Sequence, residues 1–216
     1  MAEYRDRYRL AVVPPPAKVI DELLTDFLGC RLTYAPLSLD IFAQTEWTAD
    51  ETIVTVNSRT DAIGGVKDAK GVQNVAKWHE AVHVTDDAPK ADAAQGVLAG
   101  FESDKRVICR RGEQIDHSAA ASAREFRAEE AGRAAAVSYR HLRESEAFRR
   151  LARNARTLTN GSAWGRLYQA ADDIFVNISA LVTQLELEGL IVIEKISGKT
   201  ILRVQPSLDG FLETGR

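Results

Sequence analysis

Cysteine is nearly absent: the 216-residue chain has two, Cys30 and Cys109. Two thiols make no disulfide framework, and no Cys-x-x-Cys pair exists to hold a metal. Any metal must then rest on histidine and carboxylate. Long apolar runs are missing too. No stretch approaches the ~20 apolar residues that span a bilayer. The N-terminal apolar run is short and is broken by Pro14-Pro15-Pro16, which argues against a signal peptide. The expected compartment is the cytoplasm, and no membrane partner is expected. Strong charge of either sign is also lacking: 28 Lys+Arg against 31 Asp+Glu leave a formal charge of -3. That is a poor footprint for a nucleic-acid binder, although a local basic patch stays open. The hydrophobic share of 45% and charged share of 27% are those of an ordinary globular chain, which sets aside disordered and fibrous classes. The length admits one large domain, or a catalytic domain with a small appendage.

Residues 17–28 place apolar side chains at Val19, Ile20, Leu23, Leu24, Phe27 and Leu28, a helical spacing that Gly29 can end. Arg31–Tyr34 and the β-branched run Thr52–Asn57 read as strands, and Gly64-Gly65 as a turn. Residues 71–86 suit a helix, and Pro89 should prevent much continuation. Residues 106–110 suit a short strand. From about Ala119 to Arg150 the chain is rich in Ala, Arg and Glu, one long helix or two, with an expected inner stripe of Phe126, Ala131, Ala134, Ala135 and Leu142. After a composition shift near 145–160 come a basic helix over 146–156 and helices over 163–171 and 177–188. A hairpin then follows, Leu190–Ile193 with Thr200–Val204 across Ser197-Gly198-Lys199. This is the element order of a winged helix-turn-helix. The expected class is α+β: a mainly helical zincin-like domain with a small sheet over 1–145, then a winged-helix-like domain over 146–216.

His79-Glu80-Ala81-Val82-His83 fits His-Glu-x-x-His. Residues four apart lie on one helix face, so the two imidazoles can bind one zinc ion. Glu80, turned off that axis, can take a proton from a water polarised by the metal. With His near ~2% and Glu near ~6% of residues, chance gives the pattern in on the order of one such chain in two hundred. Half of the protein's four histidines stand in it. A catalytic zinc site needs a third ligand and an open position. The best source is the helical segment Phe126–Ala136, where a Glu pair sits beside small residues that allow close packing. Helical phase alone does not choose between Glu129 and Glu130. His117, Tyr139 and His141 are candidate donors to a developing oxyanion, and they stay outside the catalytic set.

Taken together, these pieces resemble the ImmA/IrrE family of metallopeptidases. The family's strand ending in Asn matches Ile53–Asn57, its motif helix matches His79–His83, and its second helix matches Glu130-Ala131-Gly132-Arg133-Ala134-Ala135-Ala136. Its helix-turn-helix-like tail matches Ile178–Ile191, with Leu187-Glu188-Gly189-Leu190 near the end. The chain departs from the pattern at Val82, Gly132 and Ala134, and at Ser138–His141, where the family has an apolar stretch ending in proline. The resemblance implies zinc held by His79, His83 and Glu130, with Glu80 as general base. Manganese or iron can substitute at such ligands.

Two functions compete. The first is a zinc endopeptidase whose target, by the resemblance, is a helix-turn-helix transcriptional repressor, cleaved to switch on a stress or mobile-element response. The second is a non-proteolytic regulator that binds DNA or protein and keeps a vestigial or structural metal site. An intact Glu80 favours the first, because a structural site needs no base. The tail over 160–216 carries five basic and seven acidic residues, which weighs against phosphate contact. Leu181, Leu185 and Leu187 there read as packing residues. Contact with DNA would fall to Arg149, Arg150, Arg153 and Arg156 in the preceding helix.

Overall fold

The computed structural model describes residues 14–48, 50–97, 106–107, 119–154, 159–205 and 208. Helices and small sheets mix, so the class is α+β as expected. The chain divides into two units, Met1–Ala136 and Val137–Arg216. The division falls before the expected boundary at 145, so the short helix Tyr139–Glu144 belongs to the second unit.

In the first unit the expected helix over 17–28 is a series of short turns, Pro16–Lys18, Ile20–Glu22 and Leu23–Phe27, the last of π type. Gly29, at φ +67, ends it in the left-handed region that glycine tolerates. Strands β1 (Arg31–Ala35), β2 (Ala43–Trp47), β3 (Thr52–Asn57) and β4 (Arg106–Val107) form one sheet in the order β1-β3-β2-β4. β1 runs parallel to β3, and β2 antiparallel to both β3 and β4. Residues 108–110, expected to prolong β4, lie outside the described residues. β2, absent from the sequence reading, buries Ala43 and Thr45.

Helix α1 (Ala69–Val97) crosses one face of this sheet. Asp68 starts it: its carboxylate accepts from the Gly71 N–H at 2.9 Å, the usual satisfaction of a free first-turn donor. Ala81 and Val84 pack with Ile20, Leu24, Cys30 and Val54 in one core. Lys77, buried on the same helix, ion-pairs with Asp21, which also accepts from the Tyr34 hydroxyl at 3.0 Å. Contrary to expectation, α1 continues through Pro89 to Val97. A proline removes one backbone hydrogen bond and crowds the carbonyl four residues before it; here the helix persists despite that loss.

The entry to α1 is fixed by Asn57, fully buried at the end of β3. Its side-chain oxygen accepts from the Leu37 and Arg59 N–H groups, and its amide nitrogen donates to the Ser38 and Ile41 carbonyls. Its backbone carbonyl accepts from Thr60 at 2.7 Å and from Gln73 of α1 at 2.9 Å. One amide thus joins the β1–β2 connection, the end of β3 and the first turns of the motif helix.

Helix α2 (Ala119–Ala136) buries Ala128, Gly132 and Ala136. The expected inner stripe is corrected: Phe126 is 61% exposed, and Ala131 and Ala134 are exposed too. The helix docks through its smallest side chains and leaves the aromatic in solvent.

The second unit holds α3 (Tyr139–Glu144), α4 (Glu146–Arg153), α5 (Asn160–Asp173), α6 (Ile178–Leu187) and the hairpin β5 (Ile191–Ile196) with β6 (Lys199–Val204). Ser145, Thr159 and Asn177 cap α4, α5 and α6 through their side chains. Leu142, Phe148, Leu151, Leu167, Ile174, Leu181 and Leu185 form the core. Leu187, expected to pack, is 61% exposed. α6 ends at Gly189, φ +65, where the Leu190 N–H reaches back to the Leu185 carbonyl at 2.9 Å, a closing pattern that needs a left-handed residue. The hairpin turns on Ser197 and Gly198, both at positive φ, which matches the twist of its strands.

Candidate metal centre

One turn of α1 separates His79 from His83, and their Nε2 atoms stand 3.0 Å apart. The third group comes from α2. The Glu125 carboxylate straddles the pair, Oε2 3.3 Å from His79 Nε2 and Oε1 3.6 Å from His83 Nε2. Bonds of about 2.0–2.1 Å to a tetrahedral zinc would set its ligand atoms about 3.3 Å apart. The three separations bracket that edge, and two imidazoles with one carboxylate are a donor set zinc accepts, so the residues fit the ion. The His83 side chain is 2% exposed, while His79 is 20% and Glu125 37% exposed. The trio thus runs from a buried imidazole to a partly exposed carboxylate. Burial pushes the Glu125 carboxyl up, but hydrogen bonds and charge from both imidazoles outweigh it and hold it at about 2.

Glu80 lies buried at 1% exposure on the sheet side of α1, where its Oε2 accepts from the Thr45 hydroxyl at 2.7 Å. Complete burial pushes its carboxyl above the usual range, against His79, His83 and Thr45, which pull it down.

The carboxylate that the structure sets beside His79 and His83 is Glu125 and not the expected Glu130. Both Glu129 and Glu130 are exposed, and Glu129 pairs with Arg133 at 3.6 Å. The physical reason is phase. Five residues along a helix turn through about 140°, so Glu125 and Glu130 cannot share a face. Gly132 decides which face docks: a Cβ there would stand 2.7 Å from the His79 backbone nitrogen. Glu125, Ala128, Gly132 and Ala136 follow one another on that face. The spacing of Ala128, Gly132 and Ala136 is the signal available in the sequence, and it points to Glu125. Sequence reasoning misses Thr45 along with its strand.

The oxyanion candidates fall elsewhere. His117 lies outside the described residues. Tyr139 donates to Glu188 and accepts from Gln184, both at 2.8 Å, and His141 Nδ1 pairs with Ser138 at 2.7 Å, all within the second unit. Of the basic residues considered for DNA, Arg149 and Arg150 are ion-paired to Glu146, and Arg156 lies outside the described residues. Among the described residues no helix is long and apolar enough to cross a membrane. In comparisons with known proteins, the chain matches no family model, no curated protein and no solved structure.

Proposed function

We propose that the first unit is a zincin-like, zinc-dependent endopeptidase and that the second is a winged-helix-like module that docks a protein substrate. The observation that carries this reading is the convergence of His79, His83 and Glu125 from two helices, with Glu80 buried alongside. A surface helix with two solvated histidines would have neither the third ligand nor the buried acid. His79, His83 and Glu125 would hold the metal, which when bound polarises the scissile carbonyl and makes water acidic. Glu80 takes the proton from the attacking water and delivers it to the leaving amine. The resemblance to the ImmA/IrrE family supplies the substrate class, a helix-turn-helix repressor met in the cytoplasm. Zinc is the first choice of ion, with manganese or iron as substitutes.

The test is Glu80→Gln, which keeps size and polarity but accepts no proton. Zinc should stay bound, cleavage of repressors encoded beside the gene should fall by about 10²–10⁴, and the uncut target should remain captured in a pull-down. Full cleavage by the variant would remove Glu80 from the mechanism. Unchanged biological activity with no cleavage by either form would hand the protein to the regulator reading.

A further inference from the structure

We infer that Thr45 is a positioning residue for Glu80, its hydroxyl holding one carboxylate oxygen so that the other is presented to the reacting water. This rests on the peptidase reading. It starts from an accounting of buried polar atoms. A carboxylate this deeply buried needs a donor. Among the described residues, the donor it has is the Thr45 hydroxyl, 2.7 Å from Oε2, and Oε1 receives no hydrogen bond. The two oxygens are therefore not equivalent. One is tied to the sheet, and the other carries no such tie.

The tether is rigid for reasons independent of Glu80. Thr45 is 0% exposed. Its backbone stands in the middle of β2, opposite Val54 of β3 on one side and Val107 of β4 on the other. A β-branched side chain in a strand has restricted χ1 freedom, so the hydroxyl direction is set before any substrate arrives. Alternate residues of a strand face alternate sides, which puts Thr45 on the α1 side with Ala43, the buried residue two positions before it. Valine would fill the same space and suit the strand equally well. A hydroxyl at this apolar position is what a carboxylate partner requires and what packing alone does not.

The experiment compares zinc-loaded full-length protein with Thr45→Val and Thr45→Ser. Zinc affinity should change little in either, because the Thr45 hydroxyl bonds to Glu80 and not to one of the three ligands. In crystals of Thr45→Val the Glu80 carboxylate should leave its position, and in Thr45→Ser it should keep it. Turnover of a protein that the wild type cleaves should fall about 10–100-fold in kcat for Thr45→Val, the worth of one hydrogen bond to a charged group. KM should stay unchanged, and Thr45→Ser should restore most of the rate. A Thr45→Val crystal structure with Glu80 in place would overturn the inference, as would undiminished kcat. If Thr45→Val does not fold, Thr45→Ala removes the same hydroxyl and is read the same way. If wild type binds zinc but cleaves nothing, the peptidase reading fails, and the crystal comparison still decides whether Thr45 fixes Glu80.

Discussion

At the scale of residues, the carboxylate proposed as a ligand and its neighbours on α2 can be told apart by substitution. His79→Ala, His83→Ala and Glu125→Ala should each abolish or strongly weaken zinc binding in calorimetry, whereas Glu130→Ala should leave it unchanged. The reverse order for the two glutamates would show that α2 docks in another phase. A second prediction concerns alkaline pH. Burial pushes the Cys30 thiol up to about 11. Burial first, then the charge and hydrogen bond of Asp21, push the Tyr34 hydroxyl up to about 12. Both groups favour the protonated form when folded, so the stability they add is fully present below their unfolded values. It is lost between about pH 9 and 11 for Cys30 and between about 10 and 12 for Tyr34. Urea melts across pH 8 to 11 should show falling stability, and Cys30→Ala should flatten the lower part of that fall. A flat profile for the wild type would refute it. His79, Glu80 and His83 are readable from their spacing alone because their geometry is local to one helix. Glu125 and Thr45 are not, since each is selected by a contact between elements far apart in sequence.

At the scale of elements, the contact between α1 and α2 is set by one missing side chain. Gly132→Ala would place its Cβ 2.7 Å from the His79 nitrogen and 2.8 Å from its Cα, and backbone atoms cannot step aside as a flexible side chain can. The helices must then shift apart, moving Glu125 from the imidazoles while leaving all three ligands in the chain. Zinc affinity should fall by about tenfold or more, and stability by about 1–3 kcal/mol. The control is Ala131→Gly, one position earlier on the exposed face of the same helix. It should cost about 1 kcal/mol of helix propensity and leave zinc affinity intact. Equal zinc affinities for Gly132→Ala and wild type would mean that the close approach does not hold the site. Helix and strand positions are largely legible where apolar periodicity is strong, as at Thr52–Asn57 and through the second unit. The phase of α2 is not. A helix of Ala, Arg and Glu has almost no amphipathic contrast, and the aromatic that suggests an inner face lies in solvent.

At the scale of the whole molecule, every residue assigned to the chemistry precedes the division at Ala136. The second unit contributes no zinc ligand among the described residues. Removing residues 137–216 should therefore leave zinc affinity within a few-fold of the full chain while turnover of the natural target disappears. Loss of the metal together with the second unit would show that the units are not separable in function. The two-unit organisation is legible as a change in composition near 145–160, although the division itself comes earlier, because α3 looks in sequence like more of the Ala-Arg-Glu stretch. The trio at the centre has one more consequence. His83 and Glu125 are 42 residues apart in the chain, so an ion that joins them closes a loop and acts as a removable cross-link between α1 and α2. Binding that favours only the folded chain adds about 2.7 kcal/mol when free zinc is a hundred times the Kd. The melting temperature of wild type and of Glu80→Gln should rise with zinc, and that of Glu125→Ala should not. A chain fastened in this way carries a record of the metal supply in its own resistance to unfolding, and a chelator should shorten its life before it touches any substrate.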